Sequence, residues 1–194
     1  NTVPSFNASN NGLGPISGVI TITPTANSCI GTPTSYTIGV NPIPNVNAIA
    51  SGTYCAGINV PTTNLTGSVT STTFDWSNTN TAIGLTNLGT GNIPSYTAAN
   101  STASGILGVI TVTPSANACI GTPINYTVVV NPIPSVNMVP SATYCSGATV
   151  PATVFAGSVT GTAFNWTNNN TSIGVASSGS NTVPSFNALN ISSG

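Results

Sequence analysis

The chain has 194 residues with no Lys, Arg or His and one acidic residue, Asp75, for a net charge of −1. General acid–base chemistry needs groups that titrate near working pH, and a triad needs an imidazole or amine beside its nucleophile, so no enzyme is expected; with no cation to neutralise phosphates, nucleic-acid binding is excluded. At 39% hydrophobic and almost uncharged, the sequence departs from the low-hydrophobicity, high-charge signature of disorder, and so little charge repulsion makes self-association the expectation.

No apolar run approaches the roughly 18 residues of a membrane-spanning helix. The chain opens at Asn1 without Met or a signal-type apolar stretch, and reads as a mature or excised segment. Four Cys combined with an almost chargeless composition point to an oxidising, extracellular setting.

Along the chain the dominant signal is an internal repeat. Pro4, Pro94 and Pro184 share a Pro-Ser-aromatic context, and the pairs Cys29 and Cys119, Cys55 and Cys145, and Trp76 and Trp166 are each 90 residues apart. Asn-Pro-Ile-Pro occurs at Asn41, Pro42, Ile43 and Pro44 and again at Asn131, Pro132, Ile133 and Pro134. Prolines remove amide donors and stiffen the backbone, so these two segments are expected to be linkers. The division that follows has residues 1–45 as the C-terminal half of a preceding repeat, 46–135 as one complete repeat, and 136–194 as the N-terminal part of a following one. Within the complete repeat, alternating or β-branched runs bounded by Gly, Asn, Ser and Pro predict strands near 46–50, 58–66, 71–78, 82–86, 92–98, 106–114 and 123–131. About seven short strands in a 90-residue period indicate an all-β sandwich. Phe74 and Trp76 lie two apart on one strand and share a face, as do Phe164 and Trp166, so these four are assigned to the core, with Asp75 on the opposite face.

Several phrases in order carry a resemblance: Phe-Asp-Trp-Ser-Asn at 74–78, Ala-Ile-Gly-Leu at 82–85, Gly-Asn-Ile-Pro-Ser-Tyr at 91–96, Val-Ile-Thr-Val-Thr-Pro at 109–114, Cys-Ile-Gly-Thr-Pro at 119–123 and Val-Asn-Pro-Ile-Pro at 130–134. With these the chain resembles the PKD-like, immunoglobulin-like tandem repeats of large secreted surface proteins of the Bacteroidota. The resemblance implies tandem β-sandwich repeats displayed at a cell surface.

In an immunoglobulin-like sandwich the first strand commonly runs parallel beside the last. If Cys55 precedes the first long strand and Cys119 the last, the two meet, and a Cys55–Cys119 disulfide within the repeat is expected. Cys29 and Cys145 would then pair with the equivalent Cys of adjacent repeats or chains. A Cys29–Cys55 bridge and free thiols are the alternatives; zinc lacks the Cys-x-x-Cys or His that a site would need. Asp75 has no carboxylate partner for calcium or glycoside chemistry, and Asn165 stands at its position in the second copy. The expectation is therefore no catalytic, metal or cofactor site. Trp76 and Trp166 could form a sugar-stacking platform, but Trp on this strand of a sandwich is ordinarily core. The Asn-x-Ser/Thr sequons, such as those at Asn64 and Asn100, follow from the Asn- and Thr-rich composition.

The reading is thus an extracellular structural protein, the repeat unit of a filament or adhesin stalk assembled head to tail, with itself as partner. The alternative is a carbohydrate-binding or adhesive module whose partners are surface glycans.

Overall fold

The computed structural model describes residues 2–191 and is all-β, with multiple sheets and two short 3-10 turns among the described residues. By contact, the chain divides into two compact units, residues 1–100 with 106–130, and residues 101–105 with 131–194. By contact, residues 2–45 group with the central sandwich-like body.

In the first unit, β1 (Ile16–Ile22) and β4 (Thr34–Val40) form an antiparallel hairpin with Ile16 opposite Val40 and Ile22 opposite Thr34. Its tip carries the two-residue strands β2 (Thr25–Ala26) and β3 (Cys29–Ile30). The alternation of apolar and polar residues along both arms suits a strand with one face turned to a core.

The central body follows, with β5 (Gly52–Cys55), β6 (Asn59–Val60), β7 (Thr73–Asn78), β8 (Leu88–Thr90), β9 (Tyr96–Thr97), β10 (Ile106–Ala116), β11 (Cys119–Ile120) and β12 (Ile124–Asn131). The main sheet has the order β5-β12-β10-β7-β8, with β11 folded back on the end of β10. Strands β6 and β9 pair separately. Between these layers lies one cluster of buried side chains that includes Val60, Phe74, Trp76, Ile83, Leu85, Ile93, Ile110, Val112, Tyr126, Val128 and Val130, a layering consistent with a β-sandwich. The β10–β11 turn places Asn117 and Ala118 at φ 49° and 63°, the left-handed conformations of a tight hairpin turn that twists with its strands.

Several predicted strands are altered. Residues 46–50 pair with no ladder, and the first strand begins at Gly52. The run 58–66 shrinks to β6 plus one bridge from Thr63 to Ile93. The segment 82–86, expected to be a strand, forms a 3-10 turn at Thr81–Ile83 instead. Asn80 Oδ1 accepts the amide of Ala82 at 3.0 Å, and Gly84 at φ 99° closes the turn. This cap and stop outweigh the strand preference of a β-branched Ile.

The second unit contains β13 (Thr149–Val150), β14 (Thr153–Val154), β15 (Asn165–Thr167), β16 (Ser178–Ser180), β17 (Thr182–Val183) and β18 (Phe186–Asn187). Trp166 faces Gly179 across β15 and β16, as Trp76 faces Gly89 across β7 and β8. A second 3-10 turn, Thr171–Ile173, is capped by Asn170 and ended by Gly174 at φ 101°.

Candidate functional site

Polar chemistry is sparse throughout. Among the described residues no group of three or more His, Cys, Asp or Glu could hold a metal ion. Asp75 is exposed on β7, flanked by Thr90 on one neighbouring strand and Thr113 on the other, and no second carboxylate exists to work with it.

The aromatic residues sort by burial. Phe74 and Trp76 are buried, Trp76 at 5% exposure. The Trp76 ring covers Gly89 so closely that any Cβ there would overlap it. A ring held in this way offers no face to a sugar. Phe164 and Trp166 are only half-buried; the rings of Phe155 and Phe164 lie 6.0 Å apart, and Trp166 Nε1 donates to the Thr182 carbonyl at 3.0 Å. The tyrosines of the central core form a small cluster in which burial, followed by the neighbouring Tyr126 and Tyr54 hydroxyls, pushes Tyr96 up to about 12. Burial likewise raises Tyr126, opposed by a hydrogen bond with Thr63.

The cysteines do not meet as expected. All four are free thiols, Cys119 half-buried and Cys29, Cys55 and Cys145 exposed. The Pro44 carbonyl lies against Gly121, and Ser51 Oγ accepts the Thr127 amide at 3.0 Å, so the chain from Pro44 to Cys55 runs in the same direction as β12. Gly57 then donates to the Ala98 carbonyl at 2.7 Å, and Asn100 Nδ2 to the Val130 carbonyl at 2.7 Å, which places Cys55 beside the Val130 end of the sheet. Cys119, opposite Ala116, lies beyond the other end, where Val112 faces Ile124. The ladder between those ends spans about 20 Å at ~3.3 Å per residue, far beyond the reach of a disulfide. The parallel relation of first and last strands holds, but Cys55 ends the first strand instead of preceding it, and this corrects the Cys55–Cys119 pairing.

The Asn-Pro-Ile-Pro segments also behave differently from simple linkers. Pro42 and Pro44 are buried, Asn41 Nδ2 donates to the Asn117 carbonyl at 2.8 Å, and the Pro44 carbonyl approaches Gly121. This first segment is packed on the β10–β11 turn. At the second, Pro132 is half-buried and Pro134 exposed.

Two apolar faces, one in each unit, are exposed and could not be revealed by composition alone. On β1 and β4, Ile22 is 44% and Tyr36 43% exposed, whereas Val112 and Tyr126, which occupy the same places in the central body, are 0% and 6%. A groove there is lined by Phe6, Ile16, Gly18, Ile20, Ile38 and Val40. In the second unit Ile173 is 41% exposed where Ile83 is 0%, and it lines a groove with Phe155, Trp166, Val175, Val183 and Phe186. The 90-residue spacing was the signal that could have located both faces, since it pairs Ile22 with Val112, Tyr36 with Tyr126 and Ile173 with Ile83. No protein-family model and no curated protein matches this chain.

Proposed function

We propose that this chain is an extracellular structural protein built from tandem immunoglobulin-like, PKD-like repeats, serving as a head-to-tail unit of a cell-surface filament or adhesin stalk. The observation that carries this reading is the recurrence of one strand register at a spacing of 90 residues. The β1–β4 ladder, from Ile16 opposite Val40 to Ile22 opposite Thr34, has the pairing of the β10–β12 ladder, from Ile106 opposite Val130 to Val112 opposite Ile124. Around its buried apolar cluster the central body presents mainly Thr, Ser and Asn, a surface that suits a spacer. The absence of Lys and Arg removes the cleavage sites of trypsin-like proteases, a useful property outside a cell. Burial of Phe74 and Trp76 argues against the sugar-platform alternative.

The test is labelling of intact source cells with an antibody to the chain, followed by electron microscopy. Beaded strands outside the envelope are expected; label confined to the cell interior would refute the reading.

A further inference from the structure

The first Asn-Pro-Ile-Pro segment is held on the central body differently from any strand. From Asn41 to Val46 its residues alternate between exposed and buried, with Pro42 and Pro44 fully enclosed and Ile43 68% exposed. Yet the segment joins no ladder, and its prolines have no amide to donate. We propose that it is a reversible latch: seated on the β10–β11 turn, it fixes the direction in which the chain enters the central body, and it lifts off as a unit while the sheet stays intact. The latch operates whether or not the chain serves in a filament.

The seat is built from β10 and β11. Ala116 lies opposite Cys119, and Gly121 donates its amide to the Pro114 carbonyl at 2.9 Å. Pro114 and Ala116 are buried, and Cys119 and Gly121, two residues apart, share a face. A Cβ on Gly121 would overlap the Pro44 carbonyl and lie 2.9 Å from Pro114 Cγ. The segment therefore passes directly over this face, and glycine makes room for it. At the other end of the segment, Asn41 Nδ2 donates to the Asn117 carbonyl at 2.8 Å, through an exposed bond.

The hinge of the latch is Asn45. Its Oδ1 accepts the Ser68 amide at 2.7 Å, Val46 belongs to the core cluster, and the Asn47 amide donates to the Thr66 carbonyl at 2.9 Å. After Asn45 the chain is anchored by the core and by main-chain bonds; before it, by two proline rings and a side-chain bond. In contrast, β10 is laddered to both β12 and β7. Partial opening therefore starts at the segment. Lifting it frees Asn41, Pro42, Ile43 and Pro44, roughly 13 Å of extended chain. The restricted backbone of the prolines keeps the ordering cost of re-seating low.

Cys119, half-buried on the seat, reports the latch, and the exposed Cys55, at the other end of the sheet, is the control. Alkylation of the 194-residue chain, followed over time by mass spectrometry of the separated Cys peptides, should show Cys119 reacting more slowly than Cys55. Asn41→Ala removes one exposed bond and should speed Cys119 by about 2- to 10-fold without changing Cys55. Gly121→Ala, which blocks the seat, should bring Cys119 close to the rate of Cys55. If that variant also disturbs the sheet, Cys55 and the melting curve change with it, and Asn41→Ala decides alone. Equal rates for Cys119 and Cys55 in the wild type would overturn the latch. So would an Asn41→Ala variant in which Cys119 keeps its wild-type rate, or in which both thiols accelerate alike.

Discussion

Tyr96 and Trp76 show how individual residues pay different roles in the two copies of one pattern. The Tyr96 hydroxyl is buried without a hydrogen-bond partner, and Phe186 stands at its place in the second unit. An unpartnered buried hydroxyl costs stability, so Tyr96→Phe should leave the melting temperature at neutral pH unchanged or raised. Its ionisation has a clear sign. With a folded value of about 12 against an ordinary 10, the folded state binds the proton more tightly than the unfolded chain. The corresponding stability is fully present below pH 10 and is lost as pH rises toward 12. Melting curves from neutral to alkaline pH should therefore fall more gently for Tyr96→Phe than for the wild type above pH 10. Trp76→Ala should cost roughly 3–5 kcal/mol by leaving a cavity in a closed core, whereas Trp166→Ala should cost less in dilute solution because the Trp166 ring is already half exposed. Denaturant titration of the two variants separates these outcomes.

At the scale of elements, the 3-10 turn after β7 depends on a buried amide. Asn78 is 6% exposed; its Nδ2 donates to the carbonyls of Asn80 and Leu85, and its Oδ1 accepts the Asn80 amide at 3.1 Å. Asn78→Leu would strand these backbone groups and should cost about 1–3 kcal/mol, read from the same titrations. This turn also shows where the sequence was legible. Alternation made 106–114 and 123–131 readable as strands, since one face of each is buried along its whole length. In 82–86 the apolar residues likewise suggested a strand, but Asn80 and Gly84, a cap and a left-handed stop, decide the local conformation. Asn-Pro-Ile-Pro was read as a stiff linker because its prolines remove amide donors and restrict the backbone. The same lack of an amide donor lets Pro42 and Pro44 be buried at the β10–β11 turn without leaving donors unsatisfied, a contact that no local pattern announces. The disulfide was misplaced for a related reason. Strand order was inferable from the sandwich, but whether Cys55 begins or ends its strand depended on a boundary shifted by several residues.

For the whole molecule, the thiols give the simplest check. Cleavage at aromatic residues without reductant should release the Cys55 and Cys119 peptides separately, and a thiol-reactive reagent should label both. A linked pair would require a different relation between β5 and β10 from the one described. That relation has a mechanical consequence. The central body receives the chain at the Gly121 end and releases it after Val130 at the opposite end, with its first and last strands side by side and pointing the same way. Tension along the chain then pulls these neighbours past each other lengthwise, loading their cross-strand hydrogen bonds together, in shear. A hairpin pulled from its open end would instead lose its bonds one at a time, as in unzipping. Pulled along the chain, the central body should therefore yield at a higher force when gripped at its first and last strands than when gripped across β7 and β8, a difference measurable by single-molecule pulling.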